Sequence, residues 1–364
     1  MSYPVIQGQK VDGRSTSKHC WNADLIDFEG PLVSLYKDET GGDLLYSWVD
    51  CTKISNRWCI IPIGRKSLRD YLEQETTLRE IYLRSDWVMI FNTGKSSRRS
   101  SLIKTVWESL PQSYLPTEDS YLTPEIATPD AARLAEEVSE EYFLGLNGDL
   151  YIDDISIIPK IYQQLYSFHY GLEHLERQAV RETVDRLGGR WTGGLSSVNL
   201  FTGLNAVTPS IHRAKVVEMR FASPGHIRLD LLPDLAERIE TAANKLVNEA
   251  DFTALEQFYS TVYSYFREHR ISGFDDEHTI RTIDLPETVI QRLQEYVVLF
   301  FRLMGWNDYT ARFSILNIDA FHQLKVLLAY YRRLKRLRPY LQSGNLTLGS
   351  SPLEGHEDEG NEKS

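Results

Sequence analysis

An α+β fold, with an N-terminal antiparallel β-meander followed by a mainly helical region that carries one β-hairpin, follows from three observations on the 364-residue chain. Short apolar or alternating runs bounded by turn residues crowd into residues 23–110, the pattern of strands joined by tight turns. Apolar residues at helical spacing dominate residues 131–342. Between the two regions, 110–130 contains four prolines, and a proline supplies no N–H to a ladder or a helix interior.

Each element has its own local justification. Residues 1–22 are polar and are expected to be a flexible terminus. "PLVSLY" at 31–36 is the first strand, "KDETGGD" the turn, "LLYSWVD" at 44–50 the second strand, and "NRWCIIPIG" supplies a third at 57–63. Two short helices follow. Ser67 with Asp70 reads as one N-terminal cap, and Thr77 with Glu80 fits S/T-x-x-E, in which side chains satisfy backbone N–H groups left unpaired by the helix. "DWVMIF" at 86–91 is a fourth strand. Residues 111–130 read as a linker between two domains, in keeping with a length that suggests about two.

Beyond it, a long helix is expected from about 159 to 187, interrupted at Gly171 and stopped by Gly188 and Gly189. Further helices are expected near 197–208, 233–249, 252–269, 285–304 and 318–340. Asp284, Pro286 and Glu287 mark one start, and the apolar run at 296–301 marks that helix as central and buried. Residues 217–221 and 227–231 alternate with period two around Ser223, Pro224 and Gly225, predicting a hairpin near 215–231. A two-residue loop would mix the faces, so register parity demands three or five residues, with Phe221 beside Ile227 or Leu229. On this reading Ser223, Pro224 and Gly225 form a structural turn, with Gly225 at positive φ. The acidic 343–364 tail is expected to be disordered.

Composition narrows the function classes. The chain is 42% hydrophobic and carries 40 Lys and Arg against 51 Asp and Glu, a net charge of −11. That balance disfavours nonspecific nucleic-acid binding over the whole surface. Cys20, Cys51 and Cys59 have no C-x-x-C spacing, which fits reduced thiols rather than a disulfide framework or a zinc site. The N-terminus has no signal-peptide core, and the longest apolar run is far shorter than a membrane span. The expectation is a cytoplasmic protein with no membrane association.

Two segments resemble uncharacterised bacterial proteins of unknown-function families. One comprises "FEGPLVSLY", "YSWVDC" and "NRWCIIPI" within 28–63; the other comprises "WTGGLSSVNLFTGL" at 191–204 and "MRFASPGHIRL" at 219–229. The resemblance covers about a quarter of the chain. It implies a bacterial accessory or defence-type gene product and carries no activity or catalytic residue.

No reactive constellation converges. "NTGKSS" at 92–97 lacks the glycine a phosphate loop needs at 89, where Met89 stands. "GGRWTGG" at 188–194 has the wrong spacing and follows a helix, unlike a dinucleotide loop. In "FDDEH", Asp275, Asp276 and His278 are the candidate divalent-ion ligands, but adjacent loop residues rarely face one centre. His169 and His174, five apart, do not share a helix face. Glu218 and Arg220 resemble half of a nuclease strand, with arginine where lysine is needed. Ser223 lies in no G-x-S-x-G elbow.

The strongest local signal is "FHQLKVLLAYYRRLKRLRPYL". Leu324, Leu327, Leu328, Tyr331 and Leu334 form an apolar stripe, with Lys325, Arg332, Arg333 and Arg336 placed opposite it. With Lys95, Arg98 and Arg99 of the "KSSRRSS" loop, these cations are the candidate surface for nucleic acid or an acidic partner. The leading expectation is a non-enzymatic interaction or regulatory subunit with a protein partner and no cofactor. A nucleic-acid-binding component is the first alternative, and a metal-dependent hydrolase the second.

Overall fold

The runs at 44–48 and 58–63 are apolar without alternation because the sheet that contains them is buried on both faces. In the computed structural model, which describes residues 3–94, 102–189, 197–221, 224–269, 271, 285–316 and 318–349, the chain is α+β and divides into two compact units. One unit comprises 1–138 with 177–179 and 206–212; the other comprises the remainder.

The first unit is built on a seven-stranded antiparallel sheet. Its strands are β1 (Gln9–Val11), β2 (Cys20–Asp27), β3 (Pro31–Lys37), β4 (Asp43–Cys51), β5 (Ser55–Ile63), β6 (Val88–Gly94) and β7 (Leu102–Thr105), in the order β1-β7-β6-β5-β4-β3-β2. Leu45, Cys59 and Ile61 face a core shared with α1 (Arg65–Leu72), α2 (Leu78–Arg84) and α3 (Pro129–Glu136). The intervening Leu44, Tyr46 and Ile60 face a second cluster with Met89, Phe91 and Trp58. Pro62 is tolerated because the β5–β6 ladder ends at Ile60, so no partner on that side calls for its missing N–H.

The N-terminal residues are not a free tail: β1 and β2 bound the sheet, and Ile6 is buried. Thr77 caps α2 by accepting the Glu80 N–H at 3.1 Å, as expected. Ser67 instead lies inside α1, whose cap position is Gly64. The proline-rich stretch is a strap on this unit rather than a linker between cores. Leu110, Tyr114 and Leu122 enter the core, Pro116 accepts from Arg79 at 2.7 Å, and Ser120 O accepts the Leu78 N–H at 2.9 Å. The unit boundary falls at 138/139. Segment 206–212 joins this unit through a buried charge pair. Lys37 donates to Thr208 O, Asp43 accepts the Ser210 N–H at 3.0 Å, and the two charged groups lie 3.8 Å apart.

The second unit is mainly helical and holds a four-stranded antiparallel sheet in the order β11-β8-β10-β9. Its strands are β8 (Glu140–Leu146), β9 (Lys215–Arg220), β10 (Gly225–Leu231) and β11 (Leu346–Leu348). The expected hairpin is therefore part of a larger sheet, and part of the expected tail is a strand with Leu346 buried. Residues 350–364 lie outside those described. Gly145 leaves room for the Thr347 hydroxyl where β8 meets β11, since a Cβ at 145 would force that hydroxyl to turn away.

In the hairpin Arg220 pairs with His226 and Met219 with Ile227, so five residues, 221–225, lie between the last paired positions, one of the two loop lengths that register parity allows. Met219, not Phe221, stands across from Ile227, and Gly225 is extended and paired with Leu146 rather than a turn centre. Ser223 lies outside the described residues; Pro224 is in a bend.

Helices α4 (Ile152–Glu173) and α5 (Gln178–Gly189) replace the single long helix. Pro159 sits within α4, and Gly171 does not interrupt it: a Cβ at 171 would press on Leu204 at 3.1 Å, so glycine allows close packing. Next come α6 (Ser197–Asn205), α7 (Pro233–Val247), α8 (Glu249–Glu268), α9 (Glu287–Met304), α10 (Asn307–Ser314), α11 (Ala320–Lys335) and α12 (Arg338–Gln342). Helix α9 starts after Pro286 and ends at Gly305 in a left-handed cap with φ 76°; Asp284 lies outside the described residues. Tyr296, Val297, Phe300 and Phe301 are buried as expected, although Val298 is exposed. Among the described residues, no helix is long and apolar enough to cross a membrane.

Candidate functional site

Helix α11 is buried on every side over its first three turns. Leu324, Leu327, Leu328, Tyr331 and Leu334 face inward as the stripe requires, but Val326, Ala329 and Tyr330 are buried too. This overturns the placement of Lys325 on a binding surface. Lys325 is 2% exposed, and its ammonium lies 4.8 Å from the centre of the Phe321 ring. Burial pulls its pKa down to about 8, with Asp319 acting in the opposite sense. The cause lies in packing: a helix surrounded by other helices has no polar face until its end.

The same core holds His169, whose Nδ1 lies 3.1 Å from the Tyr309 hydroxyl and whose Nε2 lies 2.8 Å from the Tyr330 hydroxyl. Burial, with Arg238 nearby, pushes its pKa down to about 3. The imidazole is therefore neutral at ordinary pH with both nitrogens engaged, which suits a structural hub rather than a proton shuttle.

At its C-terminal turn α11 reaches a pocket of about 330 Å³ shared with α4. From α11 come Arg332, Arg333 and Arg336, at i, i+1 and i+4; from α4 come Ile157, Lys160, Ile161 and Gln164, at i, i+3, i+4 and i+7. The α4 spacing puts its residues on one side of the helix, while Arg332 and Arg333 diverge by about 100° with Arg336 between them. The lining thus holds four cations, one amide and two aliphatic side chains, with no carboxylate.

The cations differ in how firmly they are held. Arg333 donates from Nε to Gln164 Oε1 at 2.7 Å and from a terminal nitrogen to Ala329 O at 3.1 Å, and its guanidinium lies 3.8 Å from the Phe201 ring centre. Burial lowers its pKa to about 10, and the charges of Arg332 and Arg336 act in the same direction. Arg332 donates to the Tyr263 hydroxyl at 2.6 Å. Lys160 and Arg336 are exposed. Among the described residues, neither has a carboxylate within ion-pair distance. Cations just outside the pocket are neutralised instead: Lys335 pairs with Glu256 at 2.6 Å and Arg338 with Glu249 at 2.5 Å.

Three of the four α11 cations singled out from the sequence therefore converge, Lys325 does not, and Lys160 and Gln164 were missed. Their signal was present, since 157, 160, 161 and 164 form a helical stripe, but nothing in the chain says which helix faces it. Lys95, Arg98 and Arg99 lie outside the described residues, as do Asp275, Asp276 and His278. Most of the two glycine- and lysine-bearing loops, 95–97 and 190–194, also lies there. Glu218 and Arg220 lie on β9, where Glu218 pairs with Arg228 at 3.2 Å. Cys59 is buried beside Tyr82 and its thiol is pushed up to about 12, so it is not a nucleophile at neutral pH.

Clustered cations beside aliphatic groups are chemically suited to an anion. The lining supplies no hydroxyl, thiol, imidazole or carboxylate, so its chemistry is that of recognition by charge and forked hydrogen bonds. No protein-family model, curated protein or solved structure matches the chain.

Proposed function

We propose that the protein is a non-catalytic interaction or regulatory subunit that holds a phosphate-bearing group of its partner in the pocket between α4 and α11. The observation that carries this reading is the convergence of Lys160, Arg332, Arg333 and Arg336 on one lining without an acid. Four like charges brought together raise each other's free energy, and a bound anion relieves that cost.

A confined group is favoured over an extended nucleic-acid track. The next cations along the helix, Lys335 and Arg338, are already paired with Glu256 and Glu249. The net charge of −11 repels a long polyanion beyond the pocket.

The test is calorimetric titration with inorganic pyrophosphate and, separately, with single-stranded DNA of increasing length at low salt. Pyrophosphate binding that weakens about tenfold in Lys160→Ala/Arg336→Ala supports the proposal. Absence of pyrophosphate binding contradicts it. Affinity that grows steadily with DNA length, with a steep salt dependence, would favour the nucleic-acid reading instead.

A further inference from the structure

We infer that β9 is a self-association edge: two copies of this chain pair their β9 strands antiparallel about Met219, extending the four-stranded sheet to eight strands. β9 ends the order β11-β8-β10-β9, so among the described residues one side of its backbone has no strand partner. All six of its residues are exposed. An uncovered strand edge is a template for a further strand unless charge, proline or a cover blunts it, and the Lys215, Glu218 and Arg220 charges on β9 disfavour any strand that does not match them. The β2 edge of the other sheet has such a cover, since Ala127 bridges Ile26 and Thr128 bonds the Asp24 and Leu25 carbonyls.

The apolar side of the sheet runs out onto this edge. Ile227 and Leu229 are buried, while their cross-strand neighbours Met219 and Val216 are 48% and 49% exposed, and Phe221 is 60% exposed. Val216 and Met219 on β9, with Phe221 just past its end, form an exposed apolar patch of the kind that marks an association surface.

The occupant follows from charge. With Met219 on a two-fold axis, Glu218 of each copy stands opposite Arg220 of the other, and Val217 opposite Phe221. The two Met219 side chains then meet at the centre. Centring on Glu218 would oppose like charges, and centring on Val217 would set Glu218 against Val216 and leave Arg220 without an acid. A register between Val216 and Val217 would match Lys215 with Glu218. However, its centre falls on the β-bulge at Val217, where Arg228 pairs with Glu218 but Leu229 with Val216. A bulge bends a strand and interrupts regular pairing, so the regular stretch from Glu218 onward selects the Met219 register. Opposite charges directly across a ladder favour pairing and like charges oppose it.

The full-length chain provides the test. Sedimentation velocity should show a monomer–dimer equilibrium that shifts with concentration, and R220E, which sets like charges opposite each other, should raise the dissociation constant about tenfold. In a Cys20→Ser/Cys51→Ser background, Met219→Cys should form a disulfide-linked dimer on mild oxidation. Directly opposed residues lie about 4.5–5.5 Å apart between Cα atoms, within disulfide reach. Val247→Cys, exposed on α7, should not be captured. A chain that stays monomeric at high concentration overturns the inference. So does a dimer that is insensitive to R220E and not captured at position 219.

Discussion

The two ends of α11 carry the same kind of side chain into opposite circumstances. Lys325 is enclosed among aromatic and aliphatic groups, whereas Arg336, eleven residues on at the helix's C-cap, is exposed at a pocket. Position along the helix decides the difference. The first three turns are packed from all sides, while the last turn meets α4, α6 and α8 through its polar side chains and leaves Arg336 exposed. A basic helix is thus not a basic surface: Lys325 is a cost the core tolerates, Arg332, Arg333 and Lys335 are held by neighbouring groups, and Arg336 is exposed at the pocket.

The buried end should respond most to substitution. His169→Ala removes both hydrogen bonds to Tyr309 and Tyr330 and leaves a cavity among Phe168, Trp306 and Tyr330. Urea unfolding should show a loss of roughly 3–5 kcal/mol. The same residue sets an acid limit. Its folded pKa of about 3 lies below the unfolded value near 6.5. Between these values the unfolded chain takes up a proton that the folded chain refuses. The contribution is complete above the unfolded pKa and is lost as pH falls, by up to about 1.4 kcal/mol per pH unit. Unfolding midpoints measured from pH 7.5 downward should show this fall, and His169→Gln should flatten it by one proton's worth.

At the junction between the two ends, Arg333→Ala should cost about 1–2 kcal/mol, through the lost Gln164 bond and the lost contact with Phe201. A triple charge reversal of Arg332, Arg333 and Arg336 should therefore destabilise through Arg333, whereas Arg336→Glu alone should leave thermal unfolding unchanged.

Lys325→Met should be smaller still, within about 1 kcal/mol of the parent at pH 7, because a buried cation replaced by a similar apolar chain is often neutral or better. Its signature is in pH dependence. With a folded pKa near 8 against 10.5 unfolded, the parent gains stability as pH rises through that window, because the unfolded chain retains a proton that the folded chain has released. Lys325→Met should lack that gain.

Much of this contrast was legible in the sequence and part was not. The apolar stripe of α11, the Thr77 cap and the existence of the hairpin follow from local rules that the folded chain obeys, but the expected burial of one face holds for β10 only, since every residue of β9 is exposed and a bulge at Val217 breaks its period. Burial of Lys325 could not be read, since it depends on the helices that happen to surround α11. The strap at 110–130 was misread because prolines signal an absence of regular structure, not an absence of burial, and Leu110, Tyr114 and Leu122 have no periodicity to announce them. Strand β8 begins with two exposed glutamates and shows alternation only from Leu144, and β11 has three residues, too few to declare a pattern. Lys160 and Gln164 sit at helical spacing, but a stripe on one helix does not identify the helix that completes a site.

We propose that the pocket lined by Lys160, Arg332, Arg333 and Arg336, and not the basic helix as a whole, recognises an anion. The most direct measurement is the pyrophosphate affinity of Arg336→Gln beside that of Lys335→Gln, two neutralisations one residue apart. Arg336 lines the pocket without a carboxylate partner, while Lys335 is paired with Glu256 at 2.6 Å. The account predicts about a tenfold loss for Arg336→Gln, near 1.4 kcal/mol, and less than about a twofold change for Lys335→Gln. Equal losses in the two variants, or none in either, would contradict it.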